Sequence, residues 1–439
     1  MGGSVDHGRG RLGQRILSLL ITIGFWYLAA MEANCQNSEI TFESQFGTQD
    51  YKGRRAALLD SLGEGTAILY SQVHETEAGY RSDSDFWYLT GLDEQEAILI
   101  LSPGAVDRET LLLPPRDVEA ERWTGERPAL SESLRITWGF NRIYRTGALD
   151  GIIVSRMKHH PTLHLISRMV GASRDVPPDL EYYGKVAERI PGVTKVNSCR
   201  FLENMRMVKN AAEIEAITKA IEVTFKGLTD LLREVRPGIM EFQLQGVLEE
   251  SFKSQGAQFM AFEPIIGSGR ESAILHYDKL NGRLEPGQLL LLDVGAEWDH
   301  YCADITRTIP IDGRFTEEQA GIYDIVLAAQ KAAIDAIEPG LTLRDVDELA
   351  REVIREAGYV DDFIHSTSHH VGLDVHDSAD SWRPLAPGMV ITVEPGIYLP
   401  DSEIGVRIED VVLVTGDGHK VLSEQIPRER GDVENWMQF

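Results

Sequence analysis

Two stretches of the chain repeat each other about a hundred residues apart, and each carries a carboxylate at the same point of an apolar run. The first reads RPGIMEFQLQGVLEESFKSQG from Arg236 and PGQLLLLDVG from Pro286. The second reads EPGLTLRDVDELAREVIREAG from Glu338 and PGMVITVEPG from Pro387. Pro237 and Gly256 recur as Pro339 and Gly358, and Pro286, Asp293 and Gly295 recur as Pro387, Glu394 and Gly396. Two such halves facing across a pseudo-two-fold axis bring their acids together. Clustered carboxylates need a cation to hold them.

The repeat lies in the later part of 439 residues, enough for two or three domains. From Tyr51 to about Asn197, helical patches alternate with short β runs (TAILY, EAILIL, TLLL), which predicts an α/β domain over 51–198. From 202 to 439 the pattern is helix, Pro-Gly, helix, strand pair, twice over. That predicts an α+β fold in which one curved antiparallel sheet is backed by helices. The N-terminus differs: Arg9, Arg11 and Arg15 precede an apolar run from Ile16 to Ala30. A basic segment followed by so short a run reads as a signal peptide, or an uncleaved anchor, over 1–34. Export to a periplasm or medium is the expectation, with membrane anchoring or the cytoplasm as alternatives, and 35–50 is expected to be a flexible tail. Cys35, Cys199 and Cys302 are too few and too far apart for a disulfide framework or a thiolate metal site. A formal charge of −26 argues against nucleic-acid partners, which need basic surface.

The chemistry concentrates in LLLLDVGAEWDHYCADITRT. If Trp298 and Asp299 form a two-residue turn, Asp293 lies directly opposite Asp304 on neighbouring strands. Glu394 in MVITVEPG and Glu409 in IGVRIEDVVLV make a second such pair across a longer loop, with Arg407 on the same strand face as Glu409. Each acid alone is explained as well by a turn cap or an ion pair. Facing pairs in apolar strands are not, because adjacent unpaired anions repel. The segment FIHSTSHHVGLDVHD adds His365, His369, His370 and His376, and His276 in SAILHYD falls opposite His376 in the repeat. Four carboxylates and one imidazole form an oxygen-rich donor set suited to two Mn²⁺, with Co²⁺, Fe²⁺ or Zn²⁺ as alternatives. Two such ions activate water and polarise a carbonyl, so metal-assisted amide hydrolysis is the expected reaction.

GSGRESAILHY, LLDVGAEWDHYCADITRT, SHHVGLDVHD, ITVEPGIY and IGVRIED resemble, in order and spacing, the motifs of the pita-bread metallopeptidases, and most closely the aminopeptidase P family. YRSDSDFWYLTGLDEQEAILIL resembles that family's N-terminal domain signature. The resemblance implies a pita-bread catalytic domain that removes an N-terminal residue when proline follows it. It implies that Asp293 chelates one metal, that Asp304 and Glu409 bridge the pair, and that His369 and Glu394 complete the second shell. A bridging hydroxide would be the nucleophile and Glu394 its proton shuttle. His276, His365 and His376 would bind substrate, supported by Arg407. Trp123 resembles a tryptophan that lips the pocket across a subunit boundary, which implies a homo-dimer or tetramer. Two positions depart from the family pattern: Ser366 replaces a usual glycine, and His370 a usual bulky aromatic. The rival readings are a prolidase acting on Xaa-Pro dipeptides, a metal-free creatinase-like enzyme and a non-catalytic peptide-binding module.

Overall fold

The computed structural model describes residues 1–2, 44–71, 74–76, 79–171, 173–377 and 380–438. Residues Ser44–Phe439 form one compact unit. The basic and apolar N-terminal segment lies outside the described residues, as does Cys35. Among the described residues no helix is long and apolar enough to cross a membrane.

The tail expected up to residue 50 ends earlier. Ser44 Oγ and Gln45 N donate to Asp299 at 2.9 and 3.0 Å, and Phe46 is buried against Tyr51, Trp87 and Tyr301. The two hydrogen bonds and the buried Phe46 ring together anchor the segment. Helix α1 (Thr48–Leu62) follows, burying Tyr51, Leu58, Leu59 and Leu62 at helical spacing and stopping at Gly63, whose φ is 69°.

A mixed six-stranded sheet fills residues 66–197. Its strands are β1 (Thr66–Tyr70), β4 (Ile98–Leu101), β5 (Glu109–Leu113), β6 (Arg142–Arg145), β7 (Thr162–Leu165) and β8 (Thr194–Asn197), in the order β6-β5-β4-β1-β7-β8. A small hairpin, β2 (His74–Thr76) with β3 (Gly79–Arg81), leads into helix α2 (Ser84–Thr90). Alternation along β1 explains why the central strands are apolar throughout. Ala67 and Leu69 face the main core, and Ile68 faces a smaller one with Ile98, Ile100, Leu112 and Tyr183.

Helix α3 (Val118–Thr124), between β5 and β6, carries Trp123, and α4 (Glu132–Trp138), α5 (Leu149–Met157) and α6 (Pro178–Arg189) complete this layer. After β8, helix α7 (Cys199–Met207) leads to the repeated region. The first half comprises α8 (Ala211–Leu232), α9 (Glu241–Ser254), β9 (Phe259–Met260), β10 (Ile265–Ser268), β11 (Leu289–Val294), β12 (Ala296–Trp298), β13 (Tyr301–Cys302) and β14 (Ile305–Pro310). The second comprises α10 (Glu317–Asp335), α11 (Leu343–Glu356), β15 (Val390–Val393), β16 (Gly396–Leu399), β17 (Ile404–Arg407), β18 (Asp410–Thr415) and β19 (Gly418–Val421), closed by α12 (Arg430–Trp436). The duplication reaches the backbone angles: Gly238 and Gly340, which follow the matching prolines, have φ of 92° and 105°. These left-handed turns favour glycine.

The single curved sheet expected from sequence is instead a set of short ladders: β10-β11-β14, β13-β12-β9, β15-β18-β19 and β16-β17. The breaks fall at Gly295, at 303–304, at Glu394-Pro395 and at 408–409. Pro395 has no N–H to give a ladder. At Gly295 any Cβ would sit 1.9 Å from the Ala303 carbonyl oxygen. Gly295→Ala is expected to destabilise the fold by about 1–3 kcal/mol or more, through forced overpacking against backbone. A thermal melt followed by circular dichroism checks this.

The hairpin register also differs from the expectation. The turn residues are Asp299 and His300, with φ of 50° and 66°, so Trp298 pairs with Tyr301 and Asp293 with Thr306. A type I′ turn needs φ > 0 at both central positions, which aspartate and histidine tolerate better than tryptophan. Asp304 is thus diagonal to Asp293, two residues from the directly opposite place and on the same face.

Candidate metal centre

All four acids of the two facing pairs sit at or beside a ladder break. An interrupted ladder releases a side chain from regular alternation and re-aims it. Val393↔Asp410 on one side and Gly396↔Arg407 on the other bracket Glu394 opposite Glu409. The halves meet where Glu409 N donates to the Thr306 carbonyl at 3.1 Å and Arg407 N to Thr308 Oγ1 at 3.1 Å.

The donor atoms converge on one cavity of ≈ 740 Å³. Ligand atoms of Asp304, His369 and Glu409 lie within 4.8 Å of one another. His369 Nε2 is 3.3 Å from Asp304 Oδ2 and 3.3 Å from Glu394 Oε1. Its Nδ1 lies 3.1 Å from the His370 carbonyl, which fixes the tautomer and leaves Nε2 facing the acids. Asp293 Oδ2 accepts from Arg407 Nη2 at 2.6 Å, while its buried Oδ1 has no hydrogen-bond partner among the described residues. Glu409 Oε2 accepts from Thr306 Oγ1 at 2.8 Å.

The electrostatics are those of too many buried anions. Burial, reinforced by Asp293 and only partly offset by His369, pushes the Asp304 carboxyl up to about 7. Burial and then the charges of Asp304, Glu394 and Asp293 drive Glu409 well above the usual carboxylate range. Burial works against charge on His369, but its bonds to Asp304 and Glu394 hold it well above the usual imidazole value. Four acids against the Arg407 guanidinium and the His369 imidazole, with an orphaned Asp293 oxygen among them, form a set that divalent cations would satisfy. The residues present fit two such ions.

The remaining predicted residues surround the donors. His365 Nε2 contacts the Tyr398 hydroxyl at 2.7 Å, and Arg407 Nη1 donates to that hydroxyl at 3.0 Å. Burial lowers the pKa of His365, so the ring stays neutral and accepts the Tyr398 proton. The His376 ring packs on His369 at 4.3 Å, and His276 lines the same cavity. Phe262, Leu275 and Val375 give the cavity an apolar wall. His370 goes elsewhere: it is 1% exposed, does not line the cavity, and burial lowers its pKa to about 3. Ser366 offers its carbonyl to His365 Nδ1 at 3.0 Å. Trp123 is 89% exposed and takes no part in the cavity of its own chain.

Several residues escaped the sequence reading. Tyr398 was visible inside ITVEPGIY but had no partner to suggest its role. The buried Arg206 binds Asp85 of α2 at 2.6 Å, Asp374 at 2.7 Å and Asp377 at 2.5 Å, and so ties the loop of His376 to the first domain. Asp347 accepts from Thr367 N and Oγ1, both at 2.8 Å, and steadies the loop of His365 and His369 from α11. No local periodicity marks such pairs.

Comparison with known proteins accords with this geometry. The pattern of metallopeptidase family M24 matches residues 215–416, and that of the aminopeptidase P N-terminal domain matches 51–165. A Xaa-Pro aminopeptidase of Escherichia coli (strain K12) is 32% identical over 90% of this chain and 98% of its own length. One of Haemophilus influenzae is 30% identical over 91% and 100%. A Xaa-Pro dipeptidase of Pyrococcus furiosus reaches 44%, but over 51% of this chain and 65% of its own length. Among solved structures, Pseudomonas aeruginosa aminopeptidase PepP superposes with a TM-score of 0.80 at 32% identity, covering 90% of this chain and 99% of that one.

Proposed function

Because this chain belongs to metallopeptidase family M24, in its aminopeptidase P branch, we infer that it is a metallo-aminopeptidase releasing the N-terminal residue from peptides with proline second. The observation that most supports the reading is the convergence of Asp293, Asp304, His369, Glu394 and Glu409 on a cavity also lined by His276, His365, His376 and Arg407. We propose these five as the residues that would hold two divalent ions, Mn²⁺ by preference because four of the five donors are carboxylates. Bound there, the ions supply an activated water and a polarised carbonyl.

The chain's own groups do the rest. Glu394, within 3.3 Å of His369 Nε2 and open to the cavity, carries a proton to the departing proline nitrogen. His276 and His376 donate to the substrate carbonyl as it gains negative charge. His365, kept neutral and oriented by Tyr398, lines the proline side. Arg407 clamps Asp293 and Tyr398 together, so the acid and the imidazole hold their spacing.

The runner-up is a dipeptidase, favoured by the identity to the Pyrococcus furiosus enzyme over half of the chain. Chelation followed by Mn²⁺ add-back should abolish and then restore cleavage of a Xaa-Pro-Yaa tripeptide. The tripeptide should be turned over faster than the Xaa-Pro dipeptide. Preference for the dipeptide overturns the aminopeptidase reading, and activity surviving metal removal overturns the metal centre. We also propose a homo-oligomer in which the exposed Trp123 meets another subunit, and export directed by the N-terminal segment. Light scattering on the purified protein and N-terminal sequencing of the mature chain check these two.

A further inference from the structure

His276 makes no side-chain hydrogen bond within the described residues, so its place in the cavity depends on the course of its loop. That loop, 269–282, leaves β10 after Ser268 and returns beside α9. Both of its ends meet one side chain. Glu241, the first residue of α9 and 0% exposed, accepts from Ser268 N at 2.9 Å and Ser268 Oγ at 2.8 Å through Oε1. Through Oε2 it accepts from the Tyr277 hydroxyl at 2.9 Å and Gly282 N at 2.7 Å. The fit is tight, since a Cβ on Gly282 would lie 2.5 Å from Glu241 Oε1. No cation pairs with this carboxylate among the described residues. Four neutral donors satisfy it instead, two from Ser268 where the loop leaves β10 and two from the loop itself, and such charge-assisted bonds are stronger than neutral ones. The other half of the repeat has a comparable device, Asp347 of α11 on Thr367 N and Oγ1.

We propose that Glu241 is a positioning residue, whose buried carboxylate fixes loop 269–282 and thereby the place of His276 in the cavity. The proposal rests on the substrate-binding role given to His276 above, and its test separates the two. In Glu241→Gln one oxygen becomes an amide nitrogen facing two donors, so the carboxamide cannot serve all four. Amides of Ser268 and Gly282 should exchange hydrogen roughly 10- to 100-fold faster, as loss of charge-assisted bonds of this kind implies. Bound metal should stay at the wild-type stoichiometry. For a Xaa-Pro-Yaa tripeptide kcat/KM should fall about tenfold. On a His276→Ala background the same change should cost less than twofold, because coupled residues are non-additive. Equal losses in both backgrounds, or wild-type exchange in the loop, would overturn the proposal. A His276→Ala enzyme with unchanged kcat/KM would overturn the histidine's role and with it the catalytic half of the tether, while exchange still decides the structural half. Should Glu241→Gln fail to fold, Ser268→Ala, which removes one donor of the four, carries the same comparison with smaller shifts in the same directions.

Discussion

Replacing Asp304 by alanine is expected to cut tripeptide hydrolysis by on the order of 10³-fold or more, which corresponds to about 4 kcal/mol of transition-state stabilisation. Asp304 lies in the ladder break between β13 and β14, with Oδ2 3.3 Å from His369 Nε2 and its ligand oxygen clustered with those of His369 and Glu409. Metal analysis of the purified variant should show less than the wild-type complement. Removing one of several crowded anions relieves repulsion, so the variant should melt no lower than the metal-free wild type. Full activity, or full metal content without activity, would each refute the assigned role.

The second large effect concerns stability. Arg307 is fully buried and pairs with the equally buried Asp410 at 2.8 Å. It also donates to the carbonyls of Pro427, Thr306 and Ile426 at 2.7, 2.9 and 3.0 Å, and to that of Glu409. Arg307→Met leaves Asp410 in the core with Arg428, Ser423 and Gln330 as its remaining partners. Breaking one side of a buried pair costs about 3–5 kcal/mol. Urea denaturation should show that loss at neutral pH. Burial opposes charge on Asp410, but Arg307 and Arg428 outweigh it and hold its carboxyl below the usual range. A carboxylate depressed in the folded state adds stability above its unfolded pKa of about 4 and loses it as pH falls through the folded value. The gap between wild type and variant should therefore narrow below about pH 4. A gap that is constant or widens in acid would mean that packing, not charge, explains the loss.

The sequence reading went furthest where the signal was local or repeated. Pro237-Gly238 and Pro339-Gly340 mark the helix ends, and the strand that carries Asp293 and the one that ends just before Glu394 stand where the repeat puts them. The donor acids were legible because a carboxylate at the end of an apolar run is conspicuous. The register was not, since Trp298-Asp299 and Asp299-His300 make equally short turns and only tolerance of positive φ decides between them. The buried guanidiniums of Arg206 and Arg307 were invisible for a different reason. Their partners stand more than a hundred residues away, and a lone arginine in a helix or strand reads as a solvated one. Phe46 shows the converse, a single apolar residue ending a polar stretch that composition alone marks as free.

The seam between the repeated halves has a further consequence. Asp293 and Asp304 belong to the first half and His369, Glu394 and Glu409 to the second, so neither half carries the whole of the proposed donor set. Ions held across the seam would act as a clasp whose strength rises with free metal concentration, because binding to the folded state alone feeds directly into stability. The enzyme's mechanical integrity and its competence would then share one dial, set by the metal supply of the compartment it occupies.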